Sequence, residues 1–273
     1  MLRICAFLAP DSIPETIFIQ GASHLGPHLA VLETDETVLD EAREALLAYS
    51  LVKRDATNQT LSVHRLVQAV LKDQMEEERK REWAERTVLG VSHTFPDVQH
   101  QTWPQCEQLL PHTFVCSELI EQYQLSSTEA AYLLNQTGFY LEERARYQEA
   151  EPLHKRALAI CEQQLGAMHP STAMSLNNLA LLYQDQGKYA EAEPLYERAL
   201  TIHEQQLGAM HPATAMSLNN LAELYRVQGK YTEAEPLFER AIHILEQTLG
   251  HDHPSTKIVQ ANYATLLEEM GQG

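Results

Sequence analysis

Leu176, Leu179, Ala180 and Tyr183 are spaced by three and four residues, the period of one helical face. The spacing returns 42 positions later at Leu218, Leu221, Ala222 and Tyr225. A glycine closes each face, Gly187 and then Gly229, where a helix ends most easily on a left-handed residue. A second apolar stripe follows, formed by Ala192, Leu195, Tyr196, Ala199, Leu200 and Ile202. It predicts a helix over about 189–207, with Pro194 expected in the first turn, where a missing N–H has no intrahelical partner to lose. The predicted unit is a helical hairpin.

The period runs well beyond these two copies. Gly166, Gly208 and Gly250 keep the offset, as do His169-Pro170, His211-Pro212 and His253-Pro254, and Tyr147, Glu149-Ala150 and Pro152 carry it backwards. This gives a degenerate repeat from about residue 127, two full copies, and a partial copy to residue 273. Its lone first helix, over about 257–270, carries Glu268-Glu269 as a polar cap. A period of this length means stacked units that cannot bury their apolar faces singly.

The first 75 residues lack the repeat. An apolar helix is expected over 2–8, a second starting at Pro14, and a third over 35–50 with Val38, Leu39, Ala42, Leu46 and Leu47 on one face. The period then changes. Residues 51–54 and 60–63 flank the turn-rich Asp55-Ala56-Thr57-Asn58-Gln59, which reads as a β-hairpin, and a helix resumes over 64–75. Helices followed by a hairpin make a winged-helix-like domain. Residues 76–126 supply a connecting pair of helices, over 76–93 and 104–123, with Trp83, Leu89, Trp103, Leu109, Leu110, Phe114 and Leu119 as candidate core. The expected organisation is thus predominantly all-α: a winged-helix-like domain over 1–75 with one small hairpin, the connecting pair over 76–126, and a solenoid over 127–273.

Alanines at 180, 192 and 199, which permit close helix approach, and aromatics at 183 and 196, which fill the gaps, resemble the tetratricopeptide repeat (TPR) family. The strings Asn-Asn-Leu-Ala, Gly-Lys-Tyr and Ala-Glu-Pro-Leu are most similar to its long, kinesin-light-chain type. A period above 40 also suits HEAT or armadillo repeats, and the alanine and glycine spacing decides between them. The N-terminal strings Ser50-Leu51-Val52 and Val63-His64-Arg65-Leu66-Val67 resemble the winged-helix segment of the STAND class of NB-ARC signalling ATPases. That family's Met-His-Asp-like triplet has a histidine that senses ADP phosphates. Val63 and Arg65 replace its neighbours here, so by resemblance only His64 carries over.

Chemistry narrows the function further. Both Gly-Lys pairs, Gly187-Lys188 and Gly229-Lys230, precede tyrosine, so the chain holds no phosphate-binding loop of the Gly-Lys-Ser/Thr kind. His64 then reads first as a polar helix-start residue. His203-Glu204-Gln205-Gln206-Leu207 lacks the second histidine of a zincin site, and the repeated histidines fall on separate units. No metal, cofactor or catalytic residue is expected, and the protein is read as a non-enzyme. The net charge of −18 divides evenly, with 10 Lys+Arg against 19 Asp+Glu on each side of residue 127. A nucleic-acid-binding regulator using the wing is the alternative, and a basic surface would be needed to support it. The helix beside the wing, with Arg65 and Lys72 as its cations, is expected to pack inward. Cys5, Cys106, Cys116 and Cys161 form no paired motif, and no apolar run approaches the ~20 residues of a membrane span. The expectation is a cytoplasmic protein with no membrane partner.

The TPR resemblance implies that positions two, five, six and nine of each first helix line a concave groove. Those rows are Tyr132, Met174, Met216, Ile258; Asn135, Asn177, Asn219, Ala261; Gln136, Asn178, Asn220, Asn262; and Phe139, Leu181, Glu223, Thr265. Side-chain amides both donate and accept, so a row of them can pair with an extended peptide backbone. For Asn177 and Asn219 a bond to the next repeat is the equal alternative. The rows hold no Lys or Arg for a terminal carboxylate, so the expected ligand is a neutral-to-basic peptide or protein segment, with an NB-ARC-type ATPase module as a second partner.

Overall fold

Gly187 and Gly229 adopt φ of 71° and 73°, the left-handed backbone that the pattern asked for at the end of each first helix. The structure, a computed structural model, describes residues 1–27, 29–33 and 37–271. It divides into two compact units, Met1–Arg146 and Tyr147–Gly273.

The first unit contains α1 (Leu2–Cys5), β1 (Ile13–Pro14), α2 (Thr16–Gln20), α3 (Thr37–Ala48), β2 (Val52–Asp55), β3 (Thr60–Val63), α4 (Arg65–Asp73), α5 (Glu77–Thr94), α6 (Trp103–Gln122) and α7 (Thr128–Glu143). The connecting pair thus forms as α5 and α6. The expected hairpin is present, pairing Val52 with Val63 and Asp55 with Thr60. Its turn is closed by Asp55, whose Oδ1 accepts from the Thr57 and Asn58 amides at 2.9 and 3.2 Å. The Asn58 side-chain amide, then these backbone amides, hold the Asp55 carboxyl below its usual value.

Four expectations for this unit need correction. Pro14 does not begin a helix: it lies in β1, opposite Thr60 on an edge strand, where a residue without an N–H is tolerated. The hairpin is therefore part of a three-stranded sheet in the order β1-β3-β2. The first helix ends at Cys5, because Phe7 and Leu8 bond three residues back and tighten the chain. The third starts at Thr37 and ends at Ala48, and residues 35 and 36 of the expected span lie outside the described residues.

The inward face of α4 also differs from expectation. Leu66 and Val70 are 69% and 54% exposed, while Gln68 is buried. The Gln68 amide donates to the Cys5 and Leu8 carbonyls at 2.7 and 3.0 Å. A polar residue that meets two buried acceptors fixes the orientation of α4, and apolar character alone misreads it.

Around this sheet α5 is the organising helix, packing against α1, α2, α6 and α7. Its approach to α2 is close. A Cβ at Gly21 would stand 2.7 Å from the Gly90 carbonyl oxygen, backbone that cannot give way, so this position requires glycine. Leu109, Leu110 and Leu119 are buried as expected, whereas Trp83, Leu89, Trp103 and Phe114 are half-buried.

The second unit is a stack of helices: α8 (Tyr147–Leu165), α9 (Pro170–Asp185), α10 (Tyr189–Gln206), α11 (Pro212–Val227), α12 (Tyr231–Thr248) and α13 (Pro254–Gly271). Hairpins α9/α10 and α11/α12 form, and α8 packs on α9, α10 on α11 and α12 on α13. Ala180, Ala192, Tyr196, Leu221 and Leu224 make one core cluster. Ala222, Ala234, Phe238 and Ala241 sit in the next. Each alanine is 0% exposed, which is why the pattern demands small residues there.

Polar contacts repeat with the same offset. Tyr183 donates to Glu151 at 3.4 Å and Tyr225 to Glu193 at 3.1 Å, with Lys188 and Lys230 bonding the same carboxylates. Burial, then the Glu193 carboxylate, pushes the Tyr225 phenol up to about 12. Pro194 is not in the first turn of α10 but is its sixth residue, inside the helix. It is solvent-exposed, as is Ala190 four residues back, so the carbonyl that loses its bond lies in an exposed part of the helix.

Candidate functional site

α11 lies beside both α9 and α13, so these three first helices present one shared face. On α9, Met174 is 60% exposed, with Asn178 and Leu181 one and two turns further on. Met216 and Asn220 occupy the same register on α11, and Ile258 and Asn262 on α13, where Ile258 is 53% exposed.

The asparagines do not divide by row: Asn220 and Asn262 are bonded to Asn219, whereas Asn178 makes no such bond among the described residues. Asn177 Nδ2 donates to Ser217 Oγ at 3.2 Å, across to the next repeat, and its buried Oδ1 has no partner among the described residues. Asn219 is 5% exposed. Its Oδ1 accepts from Asn262 Nδ2 at 3.0 Å, and its Nδ2 donates to Asn220 Oδ1 at 3.3 Å. Asn177 and Asn219 are thus engaged in holding repeats together. Asn178 is half-buried and its amide has no partner among the described residues.

The end of the face carries charge. Arg226 grips Glu223 through Nε and Nη2, at 3.2 and 3.0 Å, and Glu269 through Nη1 at 2.6 Å. These carboxylates, Glu223 first, keep the guanidinium firmly protonated. Glu223, expected to line the groove, is tied up in this pair, and one cation meets two anions.

Tyr132, Asn135 and Gln136 belong to the first unit. Tyr132 is 46% exposed, donates to Asp97 at 3.4 Å and accepts from Gln136 Nε2 at 3.1 Å; Asn135 is half-buried.

His64 caps α4: its Nδ1 accepts from the Leu66 amide at 3.1 Å. The same geometry recurs at His169, His211 and His253, whose Nδ1 atoms accept from the amides of Ser171, Ala213 and Ser255 at 3.1, 3.1 and 3.2 Å. Sequence reasoning missed this role for the repeated histidines. The signal was the proline after each one, which marks the first residue of a helix.

One arrangement has the outline of a nucleophile and base, with Ser217 Oγ 2.8 Å from His203 Nδ1. Ser217 is 0% and His203 3% exposed, and burial lowers the histidine's proton affinity. No substrate can reach a hydroxyl so enclosed, and the contact serves to join α10 to α11. Among the described residues no cluster of His, Cys, Asp and Glu is arranged to hold a metal ion, and no helix is long and apolar enough to cross a membrane.

The tetratricopeptide repeat family model matches residues 129–205, 171–241 and 213–272. Residues 1–80 match a domain of unknown function (DUF7779). A nucleotide-binding leucine-rich repeat (NLR)-like protein of Hyaloscypha variabilis is 34% identical over 139 residues, which are 50% of this chain and 14% of that protein. The chain therefore spans a small fraction of the length of that relative. Among solved structures, a putative kinesin light chain with nearly identical TPR-like repeats from Podosopora anserina is 26% identical, covering 63% of this chain and 86% of that one with a TM-score of 0.48. BtubC (BKLC) from P. vanneervenii is 19% identical over 72% of this chain and 85% of that one, with a TM-score of 0.50, a likeness of fold.

Proposed function

The chain belongs to the tetratricopeptide repeat family through residues 129–272, a fold that typically serves as a non-catalytic protein-interaction scaffold, and on that premise we propose that the α9–α11–α13 face binds an extended, neutral-to-basic peptide. The observation that carries this reading is Asn178, a part-buried amide with no partner among the described residues, flanked by exposed Met174. An amide that donates and accepts can bridge a strand-like backbone whatever its side chains are. The methionines supply adaptable apolar contact, and the excess carboxylate around Arg226 disfavours an acidic ligand. An affinity around micromolar is expected for a short segment that orders on binding.

The chain is further read as the sensor part of a STAND-type signalling ATPase, with an NB-ARC-type module as its partner and the first 75 residues as a winged-helix segment. Supporting this are the identity to an NLR-like protein over half the chain and the helix, strand and hairpin order around β1–β3. The His64 cap leaves Nε2 as the ring nitrogen open to a phosphate.

The test is selection of peptides from a random display library on the purified chain. Enriched sequences with net charge of zero or above support the reading. Enrichment of acidic sequences, or no enrichment, removes it.

A further inference from the structure

A cavity of about 630 Å³ opens in the first unit between the start of α1, the turn around Gly26 and the helix α5, and it is lined by Arg3, Arg79, Arg86 and Trp83. Its size is within the range of small-molecule sites. In a chain with a net charge of −18, a hollow with three guanidinium groups and no carboxylate among its lining residues is an inversion of the general surface. Among the described residues, the acid paired with these arginines is Glu82, at 2.9 Å from Arg79 and 2.5 Å from Arg86. Arg3 has no carboxylate partner among the described residues and lies over the Trp83 ring at 5.6 Å, with Arg86 over the same ring at 4.9 Å. The Trp83 ring therefore gathers two guanidinium groups at the cavity, of which Arg86 is also paired with Glu82.

Glu76, Glu78 and Glu82 line the adjoining hollow that Arg79 also borders, so the excess of positive charge lies on the Arg3 and Arg86 side of the cavity. A compact dianion matches that excess, and a phosphoryl group carries between −1.5 and −2 at neutral pH on three acceptor oxygens. Guanidinium forks bind such groups bidentately. Gly26, with φ of 112°, lies against Arg86, and a Cβ there would stand 2.8 Å from Arg86 Nη1, so the glycine leaves that guanidinium its place.

We propose that this cavity binds a phosphoryl-bearing small molecule, with Arg3, Arg79 and Arg86 as its donors. This site is independent of the peptide face. The volume exceeds what a lone phosphate fills, so a pyrophosphate or an organic phosphate is the fitting class.

The experiment is calorimetric titration of the full chain with sodium pyrophosphate at low salt, alongside ADP and citrate. Saturable binding of pyrophosphate at one site per chain is expected, with citrate weaker. Arg3→Ala and Arg79→Ala should each weaken it at least about tenfold, as loss of a charge-assisted donor does. Arg240→Ala, in the second unit, should leave it unchanged. Tighter binding of ADP than of pyrophosphate would identify a nucleoside as the bearer of the group, still in support. No saturable heat with either phosphate, citrate binding as tightly as pyrophosphate, or equal weakening by Arg240→Ala would overturn the proposal. Arg3 is exposed at the surface, so its variant should fold, and an unchanged thermal melt checks that it does.

Discussion

Asn177 and Asn178 are adjacent in the chain and identical in chemistry, yet only one is committed to the stack. Asn177 donates to Ser217; its replacement by alanine should cost about 1 kcal/mol, the usual net worth of such a bond. Asn178→Ala removes no bond and should change stability by less than about 0.5 kcal/mol. Chemical denaturation of the two variants measures both, and equal losses would contradict the division of roles. Sequence favours the groove for Asn178 and leaves a bond to the next repeat as the equal alternative for Asn177, and it cannot settle the latter because the partner is a serine 40 positions away on the next helix.

Two buried histidines make a second residue-scale prediction. Burial lowers His112 and His154 from 6.5 to about 4. His112 Nε2 faces the Ser12 carbonyl at 3.2 Å, while its buried Nδ1 meets no partner among the described residues, so a second proton there would point at nothing. The unfolded chain binds protons before the folded one, and stability is therefore lost as pH falls from about 6.5 toward 4. Thermal melts at about pH 7 and pH 5 should show lower transitions at the acidic value, by an amount reduced in His154→Leu. A melt independent of pH over this window would contradict the assignment.

Among the elements, the repeat hairpins are legible because period, glycine and alanine all point to one unit. Ala222 is fully enclosed beside Phe238, and Ala222→Leu should overpack that crossing at a cost of about 1 to 3 kcal/mol, read as a lower melting temperature. The cap at the start of α11 gives a smaller effect: His211→Ala should cost about 1 kcal/mol, read as a lower denaturation midpoint with unchanged slope. The elements that mislead are those whose position depends on distant partners. Pro14 reads as a helix start until Thr60 pairs beside it. The orientation of α4 is set by Gln68 reaching two carbonyls about 60 residues away, which no local apolar pattern encodes. Pro194 is the sixth residue from a start at Tyr189 that the pattern places correctly, already past the first turn, and it is tolerated because the Ala190 carbonyl it leaves unbonded lies in an exposed part of the helix.

For the molecule as a whole, the solenoid half is readable almost to the residue, since a repeat states its own packing twice. The first unit is readable only in outline: its sheet, its ion pair between Glu15 and Arg54 at 2.6 Å and its arginine-lined cavity join residues scattered from 3 to 86. The candidate groove is visible in the amino-acid sequence as a row of amides, and its charge as a lack of cations in that row. That Asn178 stands open is not, and the peptide-binding account rests on it. The most direct measurement is calorimetric titration of a selected peptide into the wild-type chain and the Asn178→Ala/Asn220→Ala double variant, with matched thermal melts. The account predicts affinity weakened at least about tenfold in the double variant, the loss of more than one hydrogen bond's worth. Equal affinity in the two proteins would place the ligand elsewhere and contradict it.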